Sequence, residues 1–474
     1  MWLRLTVWLH GGASAVSRWA KIGVVAVLVV ELLAVVLVWG PGRSWWSTAV
    51  SEAGTHRLVA RGQLQQSENG SAVRADPVSF TAGPDRWVLG VLATQQRVGS
   101  GLGSGAGSVT NGGDQPADGS APAASGEVVR VTVAAAGDFL MHMPIVDCAK
   151  TASDYEFNPI FLPVQRYLES AHFAVVNLET RLAGADFGYS GYPRFNTPAE
   201  LARDIGEMGV DLVATANNHS MDMGAKGVFR TLENLDAAGM PHVGTARSAE
   251  EQASVPIFEV EGVKIAFLNA TSSLNGIPLP EDHPFAVTMI DSTLLLTQAA
   301  TARGRGADVV IAVLHWGEEY SRESSEGQRE VAHRLLNGGI DVIIGSHPHV
   351  VEPIQRLTVE RDGRPFTTYV AYSLGNFVSN QRDRYRDSGI VLFVDIEKGH
   401  EGVSVTGVRF LPVWVQKTPV NGMSHYRVLP IHPAIDPQSD LTLTSADRRR
   451  MDQVWQELTE MLANPDRGIT IYQP

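Results

Sequence analysis

Two imidazoles separated by one proline, His347-Pro348-His349, follow an apolar run and the small pair Gly345-Ser346. Pro348 restricts the backbone between them, and a sharp turn at a strand end aims both rings into one crevice. Imidazole is a common metal ligand, so the pair suits a cation better than an apolar core. Four other polar clusters stand behind similar apolar runs: Gly137-Asp138, Asn177-Leu178-Glu179, Asn217-Asn218-His219 and His315-Trp316-Gly317. With only imidazole and oxygen donors on offer, the metal would be a borderline-to-hard cation. The single cysteine, Cys148, excludes an intrachain disulfide and a thiolate cage.

Taken singly, each residue has an ordinary reading. Asp138 could cap a helix, and Glu179 could cap or solvate a loop. Asn217-Asn218 is a natural turn sequence, in which His219 would bond only a backbone carbonyl. His315 after an apolar run fits a satisfied core histidine. Repetition changes the balance: five clusters, each behind a strand, are not what independent caps produce.

The elements that must position these residues begin at Val128. Apolar runs at 129–133, 173–176, 210–214, 308–314 and 341–344 read as strands, and each ends at one of the clusters. Helical periodicity fills 198–208, 226–238, 292–304 and 326–337. Three later runs, at 366–372, 389–396 and 403–415, read as antiparallel strands, and 445–462 as a terminal helix. The expectation is an α/β sandwich on a mixed sheet core, with the site where such folds place their ligand crevices.

Ahead of this domain, residues 22–39 are apolar apart from Glu31. As a helix they reach roughly 27 Å, enough to cross a bilayer core. Arg4, Arg18 and Lys21 precede the run, and Trp39, Trp45 and Trp46 follow where an interfacial belt would lie. This predicts a short cytoplasmic N-terminus at 1–21, a transmembrane signal anchor at 22–39, an extracytoplasmic segment and linker at 40–127, and a folded extracytoplasmic domain at 128–474. A cleavable signal peptide is the alternative, with Ser47-Thr48-Ala49 as its small-x-small cleavage site. Residues 99–126 are Gly, Ser, Ala and Pro with almost no large apolar group, the composition of a flexible tether. Residues 52–98 receive no structural assignment.

The chain carries 51 acidic against 38 basic residues, a net charge of −13, which argues against a nucleic-acid partner. Arg382, Arg384 and Arg386 would suit an anion, while the interleaved Asp383 and Asp387 fit a solvated loop. Glu318, Glu319 and Tyr320 either line the crevice or are solvated loop positions.

The five clusters, with Ser220-Met221-Asp222 after His219, Glu318-Glu319-Tyr320 after Gly317 and Ser373-Leu374-Gly375-Asn376-Phe377 further on, resemble the poly-γ-glutamate capsule synthesis protein family. That CapA-like family is a branch of the calcineurin-like metallophosphoesterases. The resemblance runs from about Val129 to Phe410. It implies a four-layer αββα sandwich with two divalent metal ions, drawn from Mn, Fe, Zn and Mg. It assigns Asp138 and His349 to one metal and Asn218, His315 and His347 to the other, with Glu179 bridging. His219 becomes the catalytic imidazole, and Asp222 either orients its ring or starts a helix. Calcineurin-like enzymes usually have Asp-x-His at the first element; here Leu140 stands two residues after Asp138, so either His142, four residues on, substitutes as ligand or the first metal lacks that ligand. Glu179 stands where the wider superfamily has Asp. Two functions follow as expectations: a membrane-anchored role in poly-γ-glutamate synthesis or export beside other capsule-synthesis membrane proteins, or hydrolysis of a cell-envelope phosphoester. The ligand is accordingly an anionic polymer or a phosphoester.

Overall fold

The computed structural model describes residues 128–473, apart from 362, 401, 436–439 and 441, and the backbone of four strands between residues 45 and 90. The apolar run at 22–39 and the tether at 99–126 lie outside the described residues. Among the described residues no helix is long and apolar enough to cross a membrane. The chain divides into two compact units, Met1–Gly119 and Ser120–Pro474. In the first, β1 (Trp45–Glu52), β2 (Thr55–Gly62), β3 (Val78–Ala82) and β4 (Trp87–Gly90) form an antiparallel sheet in that order. Part of the unassigned stretch is therefore strand, and Trp45 and Trp46 fall in β1.

The second unit opens with β5 (Val129–Phe139), α1 (Met143–Ala149), α2 (Asn158–Glu169), β6 (Phe173–Asn177), α3 (Glu200–Glu207), β7 (Leu212–Ala214), α4 (Gly224–Ala237) and β8 (His242–Val243). It continues with α5 (Ala249–Ala253), β9 (Ile257–Val260), β10 (Val263–Thr271), α6 (Ser292–Gly304), β11 (Val309–His315), α7 (Glu326–Asn337) and β12 (Val342–Ser346). β13 (Ile354–Arg361), β14 (Arg364–Ala371), β15 (Asn376–Val378), β16 (Ser388–Gly399), β17 (Gly402–Val420), β18 (Met423–Pro430), α8 (Ser445–Leu462) and β19 (Ile469–Ile471) complete it.

Two mixed sheets result. One has the order β13-β14-β12-β11-β10-β9, the other β18-β17-β16-β5-β6-β7-β8, with β15 on β5 and β19 on β17. Strand alternation sorts the side chains into layers. Val131, Val133 and Ala135 of β5 share one buried cluster with Ile265 and Phe267 of β10, Ile311 of β11 and Ile344 of β12, between the sheets. Ala134 and Ala136 instead meet α1 to α4 through Ile145, Phe161, Ile205 and Leu232. Val310, Ala312 and Ile343 meet α6 and α7 through Leu295, Ala299 and Leu335. The layers run helix, sheet, sheet, helix, and each fully buried Val, Ile or Phe contributes roughly 1.5–3 kcal/mol to holding them.

The central parallel strands are buried on both faces, which is why they read as continuous apolar runs. The sequence missed α1 and α2, which are short or proline-interrupted: Pro163 lies inside α2. β9, β10, β13, β15, β18 and β19 were also missed. β14 is antiparallel to β13 but parallel to β12, so it extends the first sheet instead of joining the β16–β18 meander.

Candidate metal centre

Parallel pairing brings the polar clusters together. Asp138 of β5 is in register with Asn177 of β6, which is in register with Ala214 of β7. In the other sheet His315 ends β11 in register with Ser346 of β12, immediately before His347. Two glycines permit the close approach: a Cβ on Gly345 would stand 1.8 Å from the Tyr372 carbonyl oxygen, and one on Gly137 would stand 1.9 Å from that of Gly375.

The backbone turns at the histidines are strained. His347 has φ 104° and His349 φ 59°, and Asn275 and Tyr320, which also border the crevice, have φ 53° and 70°. These four are among seven non-glycine residues of positive φ in the described chain. Such residues persist where surrounding contacts fix them, and they concentrate at functional sites.

Asp138, Glu179 and His349 converge in one buried group, and Glu179, His315 and His347 in a second. His349 Nδ1 lies 3.0 Å from Asp138 Oδ2, and its Nε2 lies 3.8 Å from Glu179 Oε1. His315 Nε2 lies 2.9 Å from Asn218 Oδ1, 3.1 Å from His347 Nδ1 and 3.5 Å from Glu179 Oε1. A single N–H at His315 can serve one of these three neighbours, so several lone pairs face one another. Glu179 is fully buried, and its Oε1 has no hydrogen-bond partner. An orphaned carboxylate oxygen among converging imidazole nitrogens is what a cation would satisfy. The donor set, oxygen and imidazole without thiolate, fits a borderline-to-hard divalent cation.

The local electrostatics agree. Burial, with Asp138 beside it, pushes the Glu179 carboxyl well above the usual carboxylate range. Burial and neighbouring His347 pull His315 well below the usual imidazole range, and burial and His349 pull His347 to about 4. Near neutral pH both imidazoles are therefore uncharged, the form that ligates metal.

His219 stands at the edge of these groups. Its Nδ1 lies 2.8 Å from Asp222 Oδ2, and its ring packs edge-on against Phe195 at 4.7 Å. Phe195 N–H also donates to Asp222 Oδ2, at 2.6 Å, which fixes the carboxylate. Asp222 thus touches the ring and precedes α4 by two residues. Asn218 Nδ2 donates to Asn275 Oδ1 at 3.2 Å, turning the Asn218 Oδ1 toward His315.

His142 lies in neither metal group. Its Nδ1 stands 3.1 Å from the Leu140 carbonyl oxygen and 3.3 Å from the Asn380 backbone nitrogen. Its ring meets Phe195 edge-on, and burial pulls it down to about 4. Leu140, at the position two after Asp138, is buried in the core.

Some site residues carried no separate role in the sequence reading. Asn177 Nδ2 donates to Asp138 Oδ1 at 2.8 Å and lies 3.3 Å from His315 Nδ1, bridging the two sheets' ligands. Its only signal was its place beside Glu179 at a strand end. Arg181 is fully buried, and its Nη2 donates to the Leu178 and Thr215 carbonyls. The arginine cluster is not a plain solvated loop. Arg382 donates to the Val415 and Gln381 carbonyls, Arg384 pairs with Glu457, and Arg386 with Asp383. Asp387 pairs with Arg450 and accepts from the Trp414 indole N–H.

Residues 132–381, just over half of the chain, match the sequence model of the bacterial capsule synthesis protein family, PGA_cap. The chain belongs to that family. Among its relatives it is 28% identical over 284 residues to the capsule biosynthesis protein CapA of Bacillus anthracis, covering 58% of this chain and 66% of that one. It is 32% identical over 200 residues to the PGA biosynthesis protein CapA of Bacillus subtilis strain 168, covering 42% and 50%. A probable polyglutamine synthesis accessory protein of Mycobacterium tuberculosis is 26% identical over 267 residues, covering 51% and 66%. The capsule-family chain thus spans between half and two thirds of the length of these relatives. Of solved structures, the NAD nucleotidase of Haemophilus influenzae overlaps 73% of this chain and 64% of its own at TM-score 0.41 and 15% identity. The calcineurin-like phosphoesterase YfkN of Bacillus subtilis overlaps 70% and 99% at TM-score 0.39 and 16% identity. Overlap at this level assigns no activity.

Proposed function

We propose that this chain is a membrane-anchored, extracytoplasmic accessory of poly-γ-glutamate synthesis or export, built around a centre for two divalent cations. The observation that carries the site is Glu179 Oε1, buried, without a partner and common to both ligand groups. Asp138 and His349 would hold one cation and Asn218, His315 and His347 the other, with Glu179 shared. When bound, the pair supplies Lewis acidity and a concentrated positive field that reverses the local sign of an acidic protein. The chain's own groups then orient the anion. Asn177 and Asn275 hold the ligand side chains in place, and Asp222 fixes the His219 ring. The anchor is residues 22–39, read from sequence, and the partners are the membrane and other membrane proteins of capsule synthesis.

The His219–Asp222 pair favours a second reading, hydrolysis of a cell-envelope phosphoester. With Nδ1–H donated to Asp222, His219 Nε2 is the atom that would exchange a proton with a leaving oxygen. Glu179 in place of Asp and Leu140 in place of His set this chain apart from the usual enzyme pattern.

One experiment separates the readings. The full chain, purified in detergent, is assayed for bound metal, for phosphomonoester and phosphodiester turnover, and for retention of poly-γ-glutamate, with His219→Ala alongside. Bound metal and polymer retention without turnover support the accessory role. Metal-dependent turnover that collapses in the variant supports the hydrolase. Purified protein that takes up no divalent metal removes the premise of both.

A further inference from the structure

Beside the His349 half of the centre, two side chains form a wall that neither reading uses. The Arg386 guanidinium carbon lies 3.4 Å from the centroid of the Tyr320 ring, and that ring lies 6.1 Å from the His349 ring. Both backbones are tied to ligand-bearing elements. Tyr320 N–H donates to the carbonyl of Pro348, the residue between the two ligand histidines, at 2.8 Å. The Arg386 carbonyl accepts from Asn376 Nδ2 at 2.8 Å, and Asn376 is in register with Asp138. Tyr320 holds a positive φ and is 40% exposed, so its ring opens to solvent from a fixed position. A cation held over the ring face is attracted by the ring's quadrupole. Stacking on an aromatic face holds a guanidinium's plane while its edge still takes carboxylate or phosphate.

We infer that the Tyr320–Arg386 stack is a second oxyanion subsite at the mouth of the metal crevice, selecting ligands that carry two or more anionic groups on one molecule. This rests on the proposed metal centre, which takes the first anion; the stack takes the next along the chain. Arg386 Nη1 pairs with Asp383 Oδ2 at 2.8 Å. Asp383 is 75% exposed, an arrangement that an incoming carboxylate can displace. Glu319, beside Tyr320 and within electrostatic reach of His347, is the opposing charge at the mouth. It disfavours a lone anion held at the rim, so the subsite needs the cations for its first contact. The shared chemistry is a repeated oxyanion, and a carboxylate chain and a phosphate chain are its two sources.

The test is calorimetric titration of the full chain in detergent, with saturating Mn²⁺, against glutamate, a short γ-linked glutamate oligomer, inorganic phosphate and tripolyphosphate. Wild type should bind a chain more tightly than its single unit. Arg386→Gln should cut that ratio by about tenfold or more. Arg386→Lys, which keeps the charge, should retain part of it, and Tyr320→Phe, which keeps the ring, most of it. Loss confined to the glutamate oligomer or to tripolyphosphate identifies the source. A ratio unchanged in Arg386→Gln, with metal content and melting temperature as in wild type, overturns the subsite and leaves the metal centre standing. If wild type binds no oxyanion in the presence of metal, the proposed function fails and the subsite with it.

Discussion

Glu352 offers a perturbation whose size and sign follow from its surroundings. It is fully buried three residues beyond His349, and its Oε2 accepts one hydrogen bond, from Gln328 Nε2 at 2.8 Å. Its Oε1 has no partner. Burial raises the carboxyl from 4.5 to about 8, with Glu318 adding to the shift and the Gln328 bond opposing it. The folded chain therefore keeps a proton that the unfolded chain releases. Stability from this group is complete below pH about 4.5, falls as pH climbs toward 8, and is level above. At about 1.36 kcal/mol per unit, the full loss has an upper bound of roughly 5 kcal/mol. Glu352→Gln keeps the shape and removes the titration. The two proteins should be similarly stable at pH 5, and the variant should be the more stable by several kcal/mol at pH 8. Denaturant unfolding at saturating metal across that range measures the difference. Wild type and variant curves that run parallel would refute a neutral buried Glu352. The consequence reaches the site, because Gln328 also accepts from the Ser325 backbone N–H at the start of α7 and packs against Gly317, joining the His315 and His349 loops.

Glu179→Gln should lower the content of both metals, not one, because Glu179 Oε1 faces an imidazole of each group; elemental analysis reads this directly. In wild type, divalent metal at a hundredfold excess over its Kd should add about 2.7 kcal/mol to stability, and the variant should lose most of that gain. Asp222→Asn should leave metal content intact while slowing any phosphoester turnover by about 10²- to 10⁴-fold, since the His219 ring loses its carboxylate; unchanged turnover would remove His219 from proton transfer. Gly345→Ala places a Cβ 1.8 Å from the Tyr372 carbonyl oxygen and 2.7 Å from Trp316 Nε1, and should cost about 3 kcal/mol or more in a circular-dichroism melt.

Much of the fold was legible because its signals are local. Apolar runs at 308–314 and 341–344 became β11 and β12 within two residues, and the spans predicted for α6, α7 and α8 match their observed bounds. Several of the missed elements lack such signals: α5 is five residues long, β8 two, and α2 carries an internal proline, whereas β10 carries an apolar run that was passed over. At the site, Asp138, Glu179, Asn218, His315, His347 and His349 were readable as strand-end polar residues. His142 was not separable from them by spacing; its Nδ1 meets the Leu140 carbonyl and the Asn380 backbone nitrogen, and it stands outside the two groups.

The sequence by itself determined which residue types stand at the ends of which strands. Apolar runs, glycines and prolines act on the backbone within a few residues, so they can be read without knowing what packs against what. Tertiary structure alone decided which ends meet. Asn177 bridging Asp138 and His315, Glu179 common to two groups, the burial of Glu352 and the Arg386 stack on Tyr320 all join residues from different strands or loops. Sheet register and close glycine contacts make those meetings, and both depend on atoms far apart in the chain.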